Sequence, residues 1–167
     1  EMRRVLGAME LKAYVPVFTK QAIVSDEPKL IQEKLCEWVD AGEIDLLLTS
    51  GGTGFGRRDN PPEAIRPLLH REAAGIAQAL LAEGLQHTPL AVLSRPIAGT
   101  RNDTFIVTLP GSAKAVRENL KALQPLLPRI MELLIDNTCG HTMDLPPTVS
   151  GSGVPTRAHP PMCDCCK

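Results

Sequence analysis

The residues of this chain best suited to chemistry lie around one glycine-rich stretch, Ser50-Gly51-Gly52-Thr53-Gly54-Phe55-Gly56-Arg57-Arg58-Asp59. Four glycines with a threonine among them can turn backbone N–H groups toward an anion without side-chain obstruction. Neither the Gly-Lys-Ser/Thr of a P-loop nor the dinucleotide fingerprint occurs. The stretch therefore reads either as a phosphate cradle or as a tight strand-to-helix turn without a ligand. Asp59 at its end and Asp26 further upstream are the carboxylates placed to work beside it. A second glycine-bearing segment, Leu109-Pro110-Gly111-Ser112, offers backbone amides and a hydroxyl. In Ser94-Arg95-Pro96 the first two residues are placed either to reach an anionic group or, for the arginine, to be a solvated loop charge.

Positioning these groups requires strands that end where they begin. The apolar run from Ile44, bounded by Gly42 and Gly51, predicts a buried strand ending near Thr49. Beyond the loop, Asn60 stands at an N-cap, Pro61 at the first helical position and Glu63 at the third, so Glu63 either closes a capping box or supports a metal. Upstream, Ala13–Phe18 and Ala22–Val24 are β-prone and interrupted by Pro16, giving one strand or two. Ser25-Asp26-Glu27-Pro28 would close that strand and open a helix with Leu30, Ile31, Leu35, Trp38 and Val39 at helical spacing, ended by Gly42. Asp26 thus falls at a strand end, as a catalytic group or as a plain helix cap. Short helical segments are expected over Pro62–His70 and Glu72–Leu85. Ile97–Arg101 and Thr104–Leu109 flank Asn102-Asp103 as a hairpin or short turn. Ser112 opens a long apolar-faced segment, from Val116 to Leu134, broken at Pro125 and Pro128. Val5, Leu6 and Met9 have helical spacing at the start.

The whole chain bounds these readings. Its 167 residues, 43% hydrophobic and 22% charged, suit one globular domain plus a tail. With 3% aromatics the core must be aliphatic, and stacking on nucleic-acid bases is not expected. A net charge of −1 argues against a general polyanion binder, so no nucleic acid is expected as partner. No apolar run reaches the length of a membrane span, and no signal-peptide core follows Glu1-Met2-Arg3-Arg4, which points to a cytoplasmic protein. Cys36 reads as a small core residue on a helix. Cys139, Cys163, Cys165 and Cys166 do not form a secreted disulfide framework, and the terminal cluster lacks the second pair of a zinc finger. From about Cys139 the composition turns to Pro, Gly, Ser and Thr, so residues 1–138 are expected to fold and 139–167 to form a disordered tail or linker.

Alternating β and α signals, with several ligand-competent strand ends, predict a three-layer α/β/α domain with a largely parallel sheet. Leu48-Thr49-Ser50-Gly51-Gly52-Thr53-Gly54, Arg58-Asp59, Pro62-Glu63-Ala64, Arg71-Glu72-Ala73, Leu93-Ser94-Arg95-Pro96 and Leu109-Pro110-Gly111-Ser112 together resemble the molybdopterin adenylyltransferase family, most closely its gephyrin G-domain-like members. The likeness runs from about Ile23 to Ile135. It implies the molybdopterin-binding fold, usually assembled as a homotrimer, and in some members linked to a second, molybdenum-insertion domain. It also implies an enzyme of molybdenum cofactor biosynthesis that joins molybdopterin to ATP with Mg2+, releasing pyrophosphate. The alternative within the family is a noncatalytic oligomerisation or scaffold domain. By this resemblance Asp26, where the family usually reads Val-Pro-Asp-Glu, and Asp59 are catalytic carboxylates that hold Mg2+. Ser50, Gly51, Gly52, Thr53, Gly54, Ser94, Pro110, Gly111 and Ser112 bind substrate and nucleotide. The family's opening strand, with its Val-Ser-Asp segment, is not found from Met2 onward, so the resemblance implies an N-terminally incomplete domain. Asn60-Pro61 stands where Val-Thr is usual.

Overall fold

The computed structural model describes residues 15–135. The expected opening helix around Val5–Met9, the first residues of the β-prone stretch, the tail and its cysteines lie outside the described residues. Within them the order is α1 (Pro28–Asp40), β1 (Leu46–Ser50), α2 (Pro61–Ile65), β2 (Arg71–Glu72), α3 (Ala74–His87), β3 (Ala98–Arg101), β4 (Thr104–Leu109), α4 (Ala113–Leu123) and α5 (Leu127–Ile135). Single 3-10 turns cover Arg66–Leu68 and Pro89–Leu93.

The strands lie in the order β1-β4-β3-β2. β1 and β4 pair in parallel, with Leu46 opposite Phe105 and Ser50 opposite Leu109. β4 is the strand most completely covered: all six of its residues are buried, as expected for a strand packed on both faces. Its side chains alternate between two cores. Phe105, Val107 and Leu109 pack with Leu80 of α3, Val116, Leu120 and Leu123 of α4, and Met131 of α5. Ile106 points to the opposite face, with Leu47, Leu35 and Val39 of α1 and Ile65 of α2. The period-two alternation of one strand thus builds the three layers of the expected fold. Removing any of these buried aliphatic side chains would cost about 2–5 kcal/mol.

The Asn102-Asp103 turn makes β3 and β4 a hairpin, with Asn102 at a left-handed φ of 50°. β3 consequently runs against β4, and β2 against β3. Three of the four strands therefore point the same way, although only β1 and β4 are paired in parallel. Since β3 runs backwards, its N-terminal end meets the C-terminal ends of β1 and β4.

Several local expectations are corrected. Residues 15–25 form no strand: among the described residues they have no ladder partner, Pro16 lacks an amide donor, and Ile23 is 99% exposed. Asp26 instead lies in a bend just before α1. Arg71 and Glu72 pair with Thr100 and Gly99 as a two-residue strand, so the following helix begins at Ala74 rather than Glu72. The final helical region is broken between Leu123 and Leu127, where the two prolines placed the interruption; Pro128 sits in the first turn of α5, where its missing N–H costs little. Gly42, at φ 71°, ends the α1 region and its N–H donates to Val39 O at 3.0 Å.

Candidate functional site

Because β1 and β4 are parallel neighbours, the loops that leave their C-terminal ends emerge side by side. They are joined directly. Gly51 N–H donates to Leu109 O at 3.0 Å, and Ser50 Oγ donates to Pro110 O at 2.9 Å. A Cβ added at Gly111 would lie 3.4 Å from Gly51 Cα, so the two glycine backbones are packed against each other. The two segments singled out in the sequence therefore form one continuous rim at the sheet edge where ligands bind in open α/β domains.

The glycines of the first loop have two distinct reasons to be there. Gly51 and Gly52 have φ of 104° and 64°, and a Cβ on Gly52 would come within 2.5 Å of the Pro61 ring. Gly54 and Gly56 make room for a carboxylate: a Cβ on either would stand 2.8 Å from Asp59 Oδ2. Asp59 folds back over the loop, accepting from Gly56 N–H at 2.7 Å, while its own N–H donates to Gly56 O at 2.9 Å. The loop and the acid are thus one unit, with the glycines setting where the carboxylate rests.

Asp26 reaches the same unit without a strand to carry it. Asn60 Nδ2 donates to Asp26 O at 3.1 Å, and Arg58 pairs with Asp26 Oδ2 at 3.2 Å. Asn60 occupies the N-cap position of α2, but its side chain makes no cap bond and is turned toward Asp26 by this cross-link. The capping box is likewise not formed, because the Glu63 carboxylate pairs with Arg95. In each case a partner more than thirty positions away engages the side chain that a local pattern assigned to the helix end.

Arg95 is the residue that the sequence left least defined. Its guanidinium donates from Nε to Gly54 O at 2.9 Å and from Nη2 to Asp59 O at 2.7 Å, while Nη1 meets Glu63. It also lies over Phe55, 5.1 Å from the ring centroid. Its neighbour Ser94 donates from Oγ to Thr53 Oγ1 at 3.2 Å. Neither a solvated charge nor a free anion contact describes this arginine.

Next to the rim is a cavity of about 350 Å³, lined by Thr53, Ser94 and Ser112 and, among its apolar residues, by Leu80, Leu90 and Leu93. Gly54, Pro110 and Gly111 also face it. An apolar chamber beside a rim of amides and hydroxyls suits a flat ring carrying a phosphate. Among the described residues no three His, Cys, Asp or Glu side chains gather as a metal cage. Asp26 and Asp59 are two hard oxygen donors on linked segments. That set fits Mg2+, which takes one or two carboxylates and fills its remaining positions with phosphate oxygens and water. Cys36 is a free, partly buried thiol on α1, and no helix among the described residues is long and apolar enough to cross a membrane.

Comparison with known proteins agrees with this architecture. Residues 8–129 match the family model described as a probable molybdopterin binding domain. Over 120 residues the chain is 48% identical to gephyrin of Dictyostelium discoideum, covering 72% of this chain and 17% of that protein. It is 38% identical to the molybdopterin adenylyltransferase of Helicobacter pylori, over 69% of this chain and 65% of the relative. The chain thus spans less than two thirds of the length of either relative. The crystal structure of the molybdopterin biosynthesis enzyme MoaB from Thermus thermophilus superposes with a TM-score of 0.65 at 44% identity, covering 80% of each chain. The chain belongs to the molybdopterin-binding domain family, with gephyrin and the bacterial molybdopterin adenylyltransferases among its relatives.

Proposed function

We propose that this domain acts in molybdenum cofactor biosynthesis by adenylating molybdopterin at the expense of ATP. The observation that carries the proposal is the fused rim of the β1 and β4 loops, flanked by Asp26 and Asp59 and opening beside an apolar cavity. The reaction brings two polyanions together. A phosphate oxygen of molybdopterin forms a bond to the α-phosphorus of ATP, and the bond from that phosphorus to the oxygen bridging to the β-phosphate breaks, releasing pyrophosphate.

The residues divide the work according to their chemistry. Backbone amides from Gly52 to Gly54 and at Gly111-Ser112 offer donors to phosphate oxygens, the Gly51 N–H being held by Leu109 O, and the hydroxyls of Ser94 and Ser112 add orienting contacts. The cavity would take a ring system against its apolar walls. Asp26 and Asp59 would hold Mg2+, which when bound neutralises phosphate charge and polarises the P–O bonds. Asp59 is held by its bond from Gly56 N–H, which keeps the carboxylate against the loop. Assembly as a homotrimer, and attachment to a molybdenum-insertion domain in a longer protein, belong to the same proposal.

The test is to supply molybdopterin and Mg-ATP to this chain and quantify adenylated molybdopterin and pyrophosphate. Product should form, and Asp59→Ala should lower the rate by roughly 100-fold or more with the thermal transition little changed. Normal turnover by Asp59→Ala would remove Asp59 from the reaction. Absence of product from the folded wild-type chain under these conditions would refute adenylation.

A further inference from the structure

We propose that Arg95 is a positioning residue: one guanidinium closes the segment Gly54–Asp59 into a ring and so sets the place of the Asp59 carboxylate. The inference rests on the adenylation reading for its kinetic consequence, but not for its geometry. Nε holds Gly54 O and Nη2 holds Asp59 O, so the two ends of a six-residue segment are tied to a single planar group. Nη1 is fixed in turn by Glu63 at the start of α2, and the face of the group covers Phe55 between the two anchor points.

The backbone behind Arg95 is equally constrained. Its N–H donates to Thr53 O at 2.8 Å, and Ser94 N–H donates to Ala91 O at 2.9 Å. Two residues on, Ile97 N–H donates to the buried Thr108 Oγ1 at 2.7 Å and Ile97 O accepts from Thr108 N–H at 2.8 Å. The arginine therefore stands just before β3, on a segment anchored through Ile97 to the fully buried strand β4. Every nitrogen of its fork has a protein partner, two of them backbone carbonyls and one a carboxylate. A phosphate ligand would present free N–H groups to the cavity. This arginine commits three of its five N–H groups, one from each nitrogen, to the loop and to Glu63.

Geometry also says which substitution should fail. A lysine keeps the charge but has one compact ammonium, which cannot reach two carbonyls and a carboxylate in the planar arrangement of the fork. Arg95→Lys therefore separates charge from shape. The experiment measures kcat and KM for Mg-ATP in the adenylation assay alongside hydrogen exchange of individual amides. For Arg95→Lys the expected result is kcat lowered about 10- to 100-fold with KM within about three-fold, as misplacement of a reacting group by an ångström would give. The Gly56 and Asp59 amides, whose bonds close the Asp59 turn, should exchange at least about ten-fold faster, while the core amide of Ile106 is unchanged.

Three outcomes would overturn it. A KM raised ten-fold with unchanged exchange at Gly56 and Asp59 would make Arg95 a phosphate ligand. Faster exchange throughout, Ile106 included, would make it a support for the whole fold. Wild-type kinetics and exchange would leave it without a role. If the wild-type chain yields no adenylated product, the adenylation reading falls, and the exchange arm still decides whether Arg95 sets the loop.

Discussion

Two arginines stand at opposite ends of β3, and each gathers three acceptors. At the site end, Arg95 holds two carbonyls of the glycine loop and the Glu63 carboxylate. At the far end, Arg101 makes a two-pronged pair with Asp40, Nε to Oδ1 and Nη2 to Oδ2, both at 2.9 Å, and donates from Nη1 to Leu68 O at 3.2 Å. Asn102 joins Asp40 from the hairpin turn, and its own N–H donates to His70 Nδ1. The chemistry of the side chain is the same, and its targets differ in kind. Arg101 fastens elements that already have their own cores, the end of α1 to the hairpin. Arg95 fastens a loop that has almost no apolar content to hold it. Loss of the first is expected to show in stability, loss of the second in activity.

The largest effect on the site end should come from Gly52→Ala. The left-handed φ and the Pro61 ring at 2.5 Å act together, and neither the ring nor the joined backbone at Gly51 can yield easily. A cost of about 1–3 kcal/mol is expected, with adenylation falling in parallel. Denaturant unfolding and the product assay on the same sample check it. Retention of both would show that the loop tolerates a path other than the one described.

Gly54→Ala sharpens the contrast, because here the obstacle is the tip of a side chain. The new Cβ at 2.8 Å from Asp59 Oδ2 can be relieved by turning the carboxylate aside. Stability should change by no more than about 0.5 kcal/mol, while the rate falls roughly ten-fold. Equal losses in the two measurements would mean that the glycine serves the backbone and not the acid.

These glycines were legible in the sequence as a loop able to approach an anion, since their number and position after an apolar run carry a physical meaning by themselves. The strands β1 and β4, the helix opened by Pro28 and the break near Pro125 were legible for the same reason. The placement of Asp26 was not, because the preceding Ala22–Val24 has the residue types of a strand and nothing local reveals that its partner is missing among the described residues. Glu63 was left between a capping box and metal support because Asn60 and Glu63 satisfy the local pattern, while its actual partner Arg95 lies 32 positions away. Arg95 itself left little trace, as two of its three acceptors are backbone carbonyls, which every residue possesses. Contacts of that kind have no residue-type signature.

The smallest predicted effect lies at the far end, and it depends on pH. The paired Arg101 guanidinium, with help from Asn102, holds the Asp40 carboxyl below its ordinary value, and the same pair raises Arg101. A carboxylate with a depressed folded-state pKa contributes stability that is fully present above the unfolded value, about 4, and is lost as pH falls through the folded value. Asp40→Asn should therefore lower Tm slightly at pH 7, with the gap shrinking below about pH 4 and also shrinking with added salt, since Asp40 is solvent-exposed. The asparagine can still accept from Arg101 through its amide oxygen, so geometry is largely kept and charge is what changes. Adenylation at pH 7 should match the wild type, because the pair sits at the sheet end opposite the glycine loop. A gap in Tm that persists unchanged into acid would assign the contribution to hydrogen-bond shape. A drop in adenylation as large as that of Arg95→Lys would mean that the two ends of β3 are coupled, and the division between a stabilising arginine and a positioning one would fail.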